Sequence, residues 1–246
     1  MAERQALKNV EPFKTVLSGN QEAIAKLSMR DLEKILVATL TGMSVEEFNA
    51  EAKKWLETAK HPRWNRPYTD LAYQPMLELL RYLRHNEYKT YIVTGGVRTS
   101  CASTPSRSTV SRPSRWSGTA GGTKYGYGKD GKPFLTKEPK LLLNDNDAGK
   151  PEGIHLMIGR RPYAAFGNST GDRQMCRASL ALGRRRIRAW RRREAVASSA
   201  ARQYRHRSTP AEVGSFTPAL YEEAKKKGWT VTSMKNDWKR VFAFEK

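Results

Sequence analysis

The chain has 246 residues, of which 38% are hydrophobic, and its formal net charge is +21. This length suits one large domain, or a core with an inserted cap. No apolar run approaches the roughly 18 residues that a membrane span requires, and charged residues rather than a signal segment follow the first methionine. We therefore expect no membrane partner and, by default, a cytoplasmic protein. The two cysteines cannot form a disulfide framework.

The positive charge is concentrated in two windows. Residues 97–117 contain four arginines and no acidic residue, and residues 176–207 contain eleven arginines against one glutamate. Neither window contains a lysine or an aspartate, and both cysteines fall inside them. The rest of the chain has an ordinary composition, so the excess charge is a local feature.

The first part of the chain predicts a series of helices. Apolar spacing favours helices at Gln21–Lys26 and Met29–Leu40, and the capping box at Ser44 opens a helix to about residue 59. Thr69 is expected to cap the next helix. The apolar face of that helix comprises Tyr73, Met76, Leu77, Leu80 and Leu83.

Strands and helices alternate after this segment. The run Tyr91–Val93 predicts a buried strand, Pro151–Ile158 a helix with proline in its first turn, and Tyr163–Phe166 a second short strand. A helix around Pro218–Lys227 precedes a strand at Trp229–Met234. This alternation predicts a mostly parallel α/β sheet, preceded by a helical segment.

Polar residues follow the predicted strands, where ligands bind in such sheets. The first strand ends at the run Thr94-Gly95-Gly96, where Gly95 and Gly96 let backbone N–H groups approach an anion. Lys150 stands at the start of a helix, whose dipole favours anions. Asn168 and Asp172 lie in the polar loop after the second strand. A hydroxyl, an ammonium and a carboxylate together suit a phosphate group with a divalent cation.

Each of these residues also has a plain structural interpretation. Thr94 could simply end a strand, Lys150 could be solvated, and Asp172 could be the N-cap of a helix. The ordered set of all three at strand and helix ends favours the phosphate site.

Three segments in this order resemble motifs of the haloacid dehalogenase-like superfamily: Val93–Gly96, Gly149–Pro151 and Phe166–Asp172. Within that superfamily the chain is most similar to phosphoserine-phosphatase-like acid phosphatases with a helical cap. The resemblance covers residues 1–96, 118–175 and 213–246. It implies a Rossmann-like α/β core, with residues 1–65 as a cap segment and residues 66–246 as the core.

The resemblance also implies roles for the site residues. Thr94, with Gly95 and Gly96, would bind the transferring phosphoryl group of a small phosphorylated substrate, and Lys150 would neutralise its charge. Asp172 would ligate Mg²⁺, with Asn168 in the metal shell or orienting its ligands. The implied reaction is hydrolysis of a phosphomonoester through an aspartyl-phosphate.

One motif of the family does not occur in this sequence. Family members begin with a strand that ends in Asp-x-Asp-x-Thr, which supplies the nucleophile and the general acid, whereas this chain begins within the expected cap. The run Asn144–Asp147 resembles that motif superficially but stands just before Lys150, where the family does not place a nucleophile. We therefore expect a truncated core without its first strand, and an inactive enzyme.

The two arginine-rich windows, 97–117 and 176–212, also depart from the family. If Arg98–Trp116 is back-translated with GC-rich codons, the neighbouring reading frame can encode the sequence DFVRVYSEQVYGVPPEQVV. That sequence has apolar residues at helical spacing. We hypothesise that compensating insertions or deletions scrambled both windows. The nucleotide sequence across these codons tests the hypothesis.

The alternative interpretation is that the two arginine-rich windows are functional sequence and not scrambled. Residues 183–193 would form an arginine-rich helix on phosphate backbones, with Trp190 stacking on a base. This predicts a basic nucleic-acid-binding protein. We favour non-specific, salt-sensitive binding to polyanions over specific recognition.

Overall fold

The computed structural model describes residues 7–98, 113–180, 196–199, 216–234 and 236–245. In these residues the protein is a mixed α/β structure with small sheets. The coarse fold class predicted from the sequence is therefore confirmed. Within these same residues, the chain has no helix with the length and apolar character needed to cross a bilayer.

The helices follow the predicted order. The α-helices are α1 (Phe13–Leu17), α2 (Gln21–Ala25), α3 (Met29–Leu40), α4 (Val45–Thr58), α5 (Gln74–His85), α6 (Gly149–Ile158), α7 (Arg173–Leu180) and α8 (Pro218–Lys227). Short 3₁₀ segments occur at Leu7–Asn9, Tyr68–Leu71, Pro113–Arg115 and Thr170–Asp172. The predicted bounds of α3 and α8 are confirmed, because local capping defines both helices. Ser28 and Asp31 form a reciprocal capping box at the start of α3, and the Thr217 side chain caps α8.

The strands form three small sheets. They are β1 (Lys60–His61), β2 (Arg66–Pro67), β3 (Ile92–Val97), β4 (Trp116–Tyr127), β5 (Pro133–Leu143), β6 (Val196–Ser199) and β7 (Thr230–Ser233). β3 pairs with β4 in parallel, and β6 pairs with β7 in parallel. β5 is the other neighbour of β4. The turn at residues 128–132 is too short for a parallel crossover, so β4 and β5 form a hairpin.

Two local predictions are wrong. Thr69 does not cap α5, because it lies within a 3₁₀ segment and Tyr73 occupies the N-cap position. Residues 163–166 do not form a strand, although Ala165 is buried in the core. The end of the first strand, predicted at Thr94–Gly96, lies one residue further on, at Val97.

The chain divides into two compact units. Among the described residues, one unit contains residues 7–45 and 121–142, and the other contains the remaining described residues. All the predicted site residues belong to the second unit. The predicted division at residue 65 into cap and core stays a prediction.

Two apolar clusters stabilise the second unit. The larger joins α6, α7 and α8, and its buried members are Ile154, Ala165, Met175, Cys176, Leu220, Ala224 and Trp229. Val93 of β3 packs against this cluster, which fixes the strand beside α6. The smaller cluster centres on Met234, Val241 and Phe242, with Trp64 and Tyr73 against it.

Most of both arginine-rich windows lies outside the described residues. At the edges of the windows the described residues pack well: Trp116 and Ser117 are buried in β4, and Cys176 and Ser179 are buried in α7. The edges of both windows are therefore part of the packed structure. The predicted helix at residues 183–193 lies outside the described part of the chain.

Candidate functional site

Lys150 is a buried lysine in the first turn of α6, with only 4% of its surface exposed. Its Nζ donates to the backbone carbonyl of Val93 at 3.0 Å and lies 3.3 Å from Oδ1 of Asp172. A buried ammonium requires such partners, because an uncompensated charge in the interior is strongly unfavourable. The interpretation of Lys150 as a solvated residue is therefore wrong. Its charge lies next to the residue that precedes Thr94.

Asp172 organises the loop after residue 166. Its Oδ2 accepts hydrogen bonds from the backbone N–H of Asn168 at 2.9 Å, and from the N–H and the hydroxyl of Ser169, both at 3.1 Å. Asp172 occupies position N3 of a capping box whose N-cap is Ser169. One carboxylate oxygen thus shapes the loop, and the other faces Lys150. The Asn168 backbone orients Asp172, while the role predicted for its side chain stays a prediction.

Thr94 lies within β3, where its Oγ1 accepts a hydrogen bond from the backbone N–H of Gly96 at 3.1 Å. Gly95 and Gly96 are exposed, so this stretch of backbone is open to solvent. The carbonyl of Gly95 accepts a bond from the hydroxyl of Thr119 in β4 at 2.7 Å. The backbone after Val93 is therefore held from the neighbouring strand.

Direct contacts bring the three predicted segments together. Lys150 contacts both the carbonyl of Val93 and Asp172, and the backbone N–H of Asp147 donates to the carbonyl of Gly171 at 3.1 Å. A side chain added at Gly171 would overlap the amide of Asn146, so glycine allows this close approach. A shared phosphate site requires its motifs to lie close together, and these contacts meet that requirement. The roles assigned to their residues stay predictions.

Asp145 is a site residue that the sequence interpretation missed. It is completely buried, with 0% of its surface exposed, and its Oδ2 accepts a hydrogen bond from the Ser117 hydroxyl at 2.8 Å. Its backbone N–H donates to Oγ1 of Thr119 at 3.1 Å. From the sequence, the run at residues 144–147 is considered only as a substitute nucleophile, and is set aside because it stands just before Lys150. Nothing local in the sequence indicates a buried carboxyl.

Burial dominates the electrostatics around this site. It raises the pKa of Asp145 above its ordinary value, although the Ser117 hydroxyl, the Lys150 charge and the Thr94 backbone amide act in the opposite direction. Burial and the Asp172 charge raise the pKa of the Cys176 thiol to about 12, against a smaller effect of Lys150. Cys176 is therefore a packed thiol and not a nucleophile.

The described residues do not form a complete magnesium site. Magnesium prefers carboxylate oxygens and water in octahedral geometry. Asp172 offers a carboxylate, but three hydrogen bonds occupy Oδ2 and Lys150 faces Oδ1. In the part of the chain that the structure describes, no group of three His, Cys, Asp or Glu side chains is placed to hold a metal ion. Mg²⁺ held at Asp172 would therefore take its other ligands from water and from a bound phosphate.

A scan against protein-family models finds no model that matches this chain, and a search of curated proteins finds no significant match.

Proposed function

We propose that this site binds the phosphate group of a small phosphomonoester, in the manner of haloacid dehalogenase-like phosphatases with a Rossmann-like core and a helical cap. One observation carries the proposal: the buried ammonium of Lys150 links the carbonyl before Thr94 to the carboxylate of Asp172. The three resembling motifs thereby meet through a single side chain. This contact gives a physical reason why one sequence would contain all three motifs.

Several residues of the site would donate hydrogen bonds to the phosphate. The open backbone at Gly95 would offer its N–H group to the phosphoryl oxygens, and the Gly96 N–H would exchange its bond to Oγ1 of Thr94 for a bond to the phosphate, as glycine-rich turns bind anions. The hydroxyl of Thr94 would give a further bond. Lys150 has three N–H donors and uses two on Val93 and Asp172, so one remains to face an anion.

The local charge requires a further cation for tight binding. Lys150 and Asp172 form a neutral pair, and a phosphate dianion beside them adds negative charge. A divalent cation at Asp172, near Asn168, would offset that charge, which is the role proposed for Mg²⁺. Mg²⁺ should therefore strengthen phosphate binding.

We expect these 246 residues to bind a phosphate without efficient turnover. The sequence contains no Asp-x-Asp-x-Thr motif, and Asp145, in the run that resembles it, is completely buried and cannot attack a substrate. Loss of a covalent nucleophile typically lowers rates by about 10⁴-fold to 10⁶-fold.

The test is hydrolysis of p-nitrophenyl phosphate by the purified chain with Mg²⁺. We expect the wild type to be no faster than Lys150→Ala. Turnover that exceeds this control and disappears in Asp147→Asn would show that the run at residues 144–147 supplies a nucleophile, and would contradict the expected inactivity.

Nucleic acid is retained as a non-specific partner only. A net charge of +21 favours salt-sensitive attraction to any polyanion. We therefore expect binding to unrelated oligonucleotides of equal length to be similar, and to weaken together as salt rises. A marked preference for one sequence at 150 mM salt would favour the specific nucleic-acid function instead.

A further inference from the structure

Asp145 is a buried carboxyl that the proposed phosphate chemistry does not use. None of its surface is exposed, and its Oδ1 has no hydrogen-bond partner among the described residues. An unpaired polar atom in the interior destabilises the folded protein. A small apolar side chain would avoid that cost, so the carboxyl requires an explanation.

The surroundings of Asp145 connect it to both parts of the phosphate site. The Ser117 hydroxyl donates to Oδ2, and the backbone amide of Thr94 and the ammonium of Lys150 both act on the carboxyl electrostatically. Through its own N–H, Asp145 is bonded to Thr119, whose hydroxyl donates in turn to Gly95. One side chain thus contacts or attracts donors on β3, β4 and α6.

The helix that carries Lys150 fixes the position of this carboxyl. Gly153 lies on α6 directly against it: a Cβ there would be 2.7 Å from Oδ1 of Asp145, 2.9 Å from Oγ of Ser117 and 3.0 Å from the Leu143 side chain. These distances leave no room for a side chain at residue 153. The carboxyl is therefore held between the helix and β4 in one position.

We propose that Asp145 is a positioning residue of the phosphate site, which sets the amide of Thr94 and the ammonium of Lys150 relative to each other without touching the ligand. This inference rests on the proposed phosphate-binding function. Its physical basis is the position of the carboxyl between the Ser117 hydroxyl of β4 and Gly153 of α6, together with the bond from the Asp145 N–H to Thr119, whose hydroxyl holds Gly95 of β3. Preorganised donors bind an anion more tightly than donors that must be ordered on binding.

The sign of the effect separates positioning from simple electrostatics. A carboxylate near an anion site repels the anion, so its removal alone should leave binding unchanged or strengthen it. An amide at position 145 instead presents an NH₂ group to surrounding donors, and should displace them. Positioning therefore predicts weaker phosphate binding.

The experiment measures the dissociation constant of inorganic phosphate by calorimetry at fixed pH and ionic strength. We expect Asp145→Asn to raise it at least about 10-fold. The matched control is Asp147→Asn, the same change at an exposed position two residues along, with less than a twofold effect. Unchanged or tighter binding by Asp145→Asn would overturn the inference.

Two further variants keep the test decisive. If Asp145→Asn does not fold, Ser117→Ala is used instead, because it removes only the hydroxyl that orients the carboxyl. We expect Ser117→Ala to raise the dissociation constant of inorganic phosphate about threefold or more. An unchanged dissociation constant would overturn the inference. If the wild type binds no phosphate, the proposed function fails. The positioning is then tested by urea denaturation of Asp145→Asn, Lys150→Met and the double variant, each compared with the wild type by its shift in urea midpoint. Non-additive shifts support a direct coupling of the two side chains, and additive shifts overturn it.

Discussion

Nζ of Lys150 lies 3.3 Å from Oδ1 of Asp172, and the side chains are only 5% and 13% exposed. This ion pair ties the start of α6 to the loop before α7, and the bond from Lys150 to the Val93 carbonyl adds β3 to the same junction. Buried pairs contribute little net stability when compared with apolar residues, but removal of one partner leaves an uncompensated charge. The pair therefore makes the structure of the site sensitive to single substitutions.

Lys150→Met should lower the free energy of unfolding by about 3 kcal/mol, because Asp172 would keep a buried charge without its cation. Urea denaturation followed by circular dichroism measures the change. Lys124→Met is the matched control, since Lys124 is exposed on β4 and the same substitution there should change stability by less than about 0.5 kcal/mol. Equal effects of the two variants would show that the pair at Lys150 is not formed in solution.

Gly167→Ala should destabilise the protein, because a Cβ at this position would overlap Cβ and Cγ of Asp172. The loop would have to move away from the carboxylate, at a cost of about 1–3 kcal/mol. Gly126→Ala, in β4, is the control, since nothing lies within 4 Å of a Cβ there. A loss of stability at Gly126 as large as that at Gly167 would contradict the packing described for the loop.

The raised pKa of Asp145 predicts a pH dependence of stability. Above pH 3.8, the ordinary value, the unfolded chain releases the proton on this residue while the folded protein retains it. The free energy of unfolding therefore decreases as the pH rises from that value towards the raised pKa. Asp145→Asn lacks this contribution, so its stability relative to wild type should improve as the pH rises above 3.8 towards the raised pKa.

Denaturation curves at several pH values check this difference, with Asp147→Asn as the control. A difference that is constant with pH, or one that moves in the opposite direction, would show that the pKa of Asp145 is not raised by burial.

Cys176 should resist alkylation in the folded protein. Its thiol is 2% exposed and its pKa is about 12, so little thiolate forms at pH 8. Iodoacetamide labelling, read by mass spectrometry of the peptide containing Cys176, should be at least about 100-fold slower than in 6 M guanidinium. Rapid labelling without denaturant would contradict the burial of α7 in the core.

The sequence predicted those elements that local signals define. Met29–Leu40 begins at a capping box, and Pro218–Lys227 has a threonine cap and ends before Gly228 in the left-handed conformation. Such signals lie within a few residues and need no tertiary context. The same is true of Lys150, whose place at the start of a helix follows from the proline after it.

The hairpin of β4 and β5 and the buried Asp145 could not be predicted in this way. β4 is rich in glycine, which disfavours strands, and its pairing with β3 across the first arginine-rich window depends on distant residues. The burial of Asp145 depends on Ser117 and Gly153, which are remote or on another element. Tertiary packing decides both features.

Phosphate binding to the 246-residue chain tests the central claim most directly. Calorimetric titration with inorganic phosphate, in 150 mM salt and with or without Mg²⁺, should give a saturable single site that Mg²⁺ strengthens. Lys150→Met should abolish it, and Lys124→Met, which removes an equal charge from an exposed position, should retain it. Equal weakening by both variants would show that phosphate responds only to the net charge of the protein, and would contradict the site at Lys150.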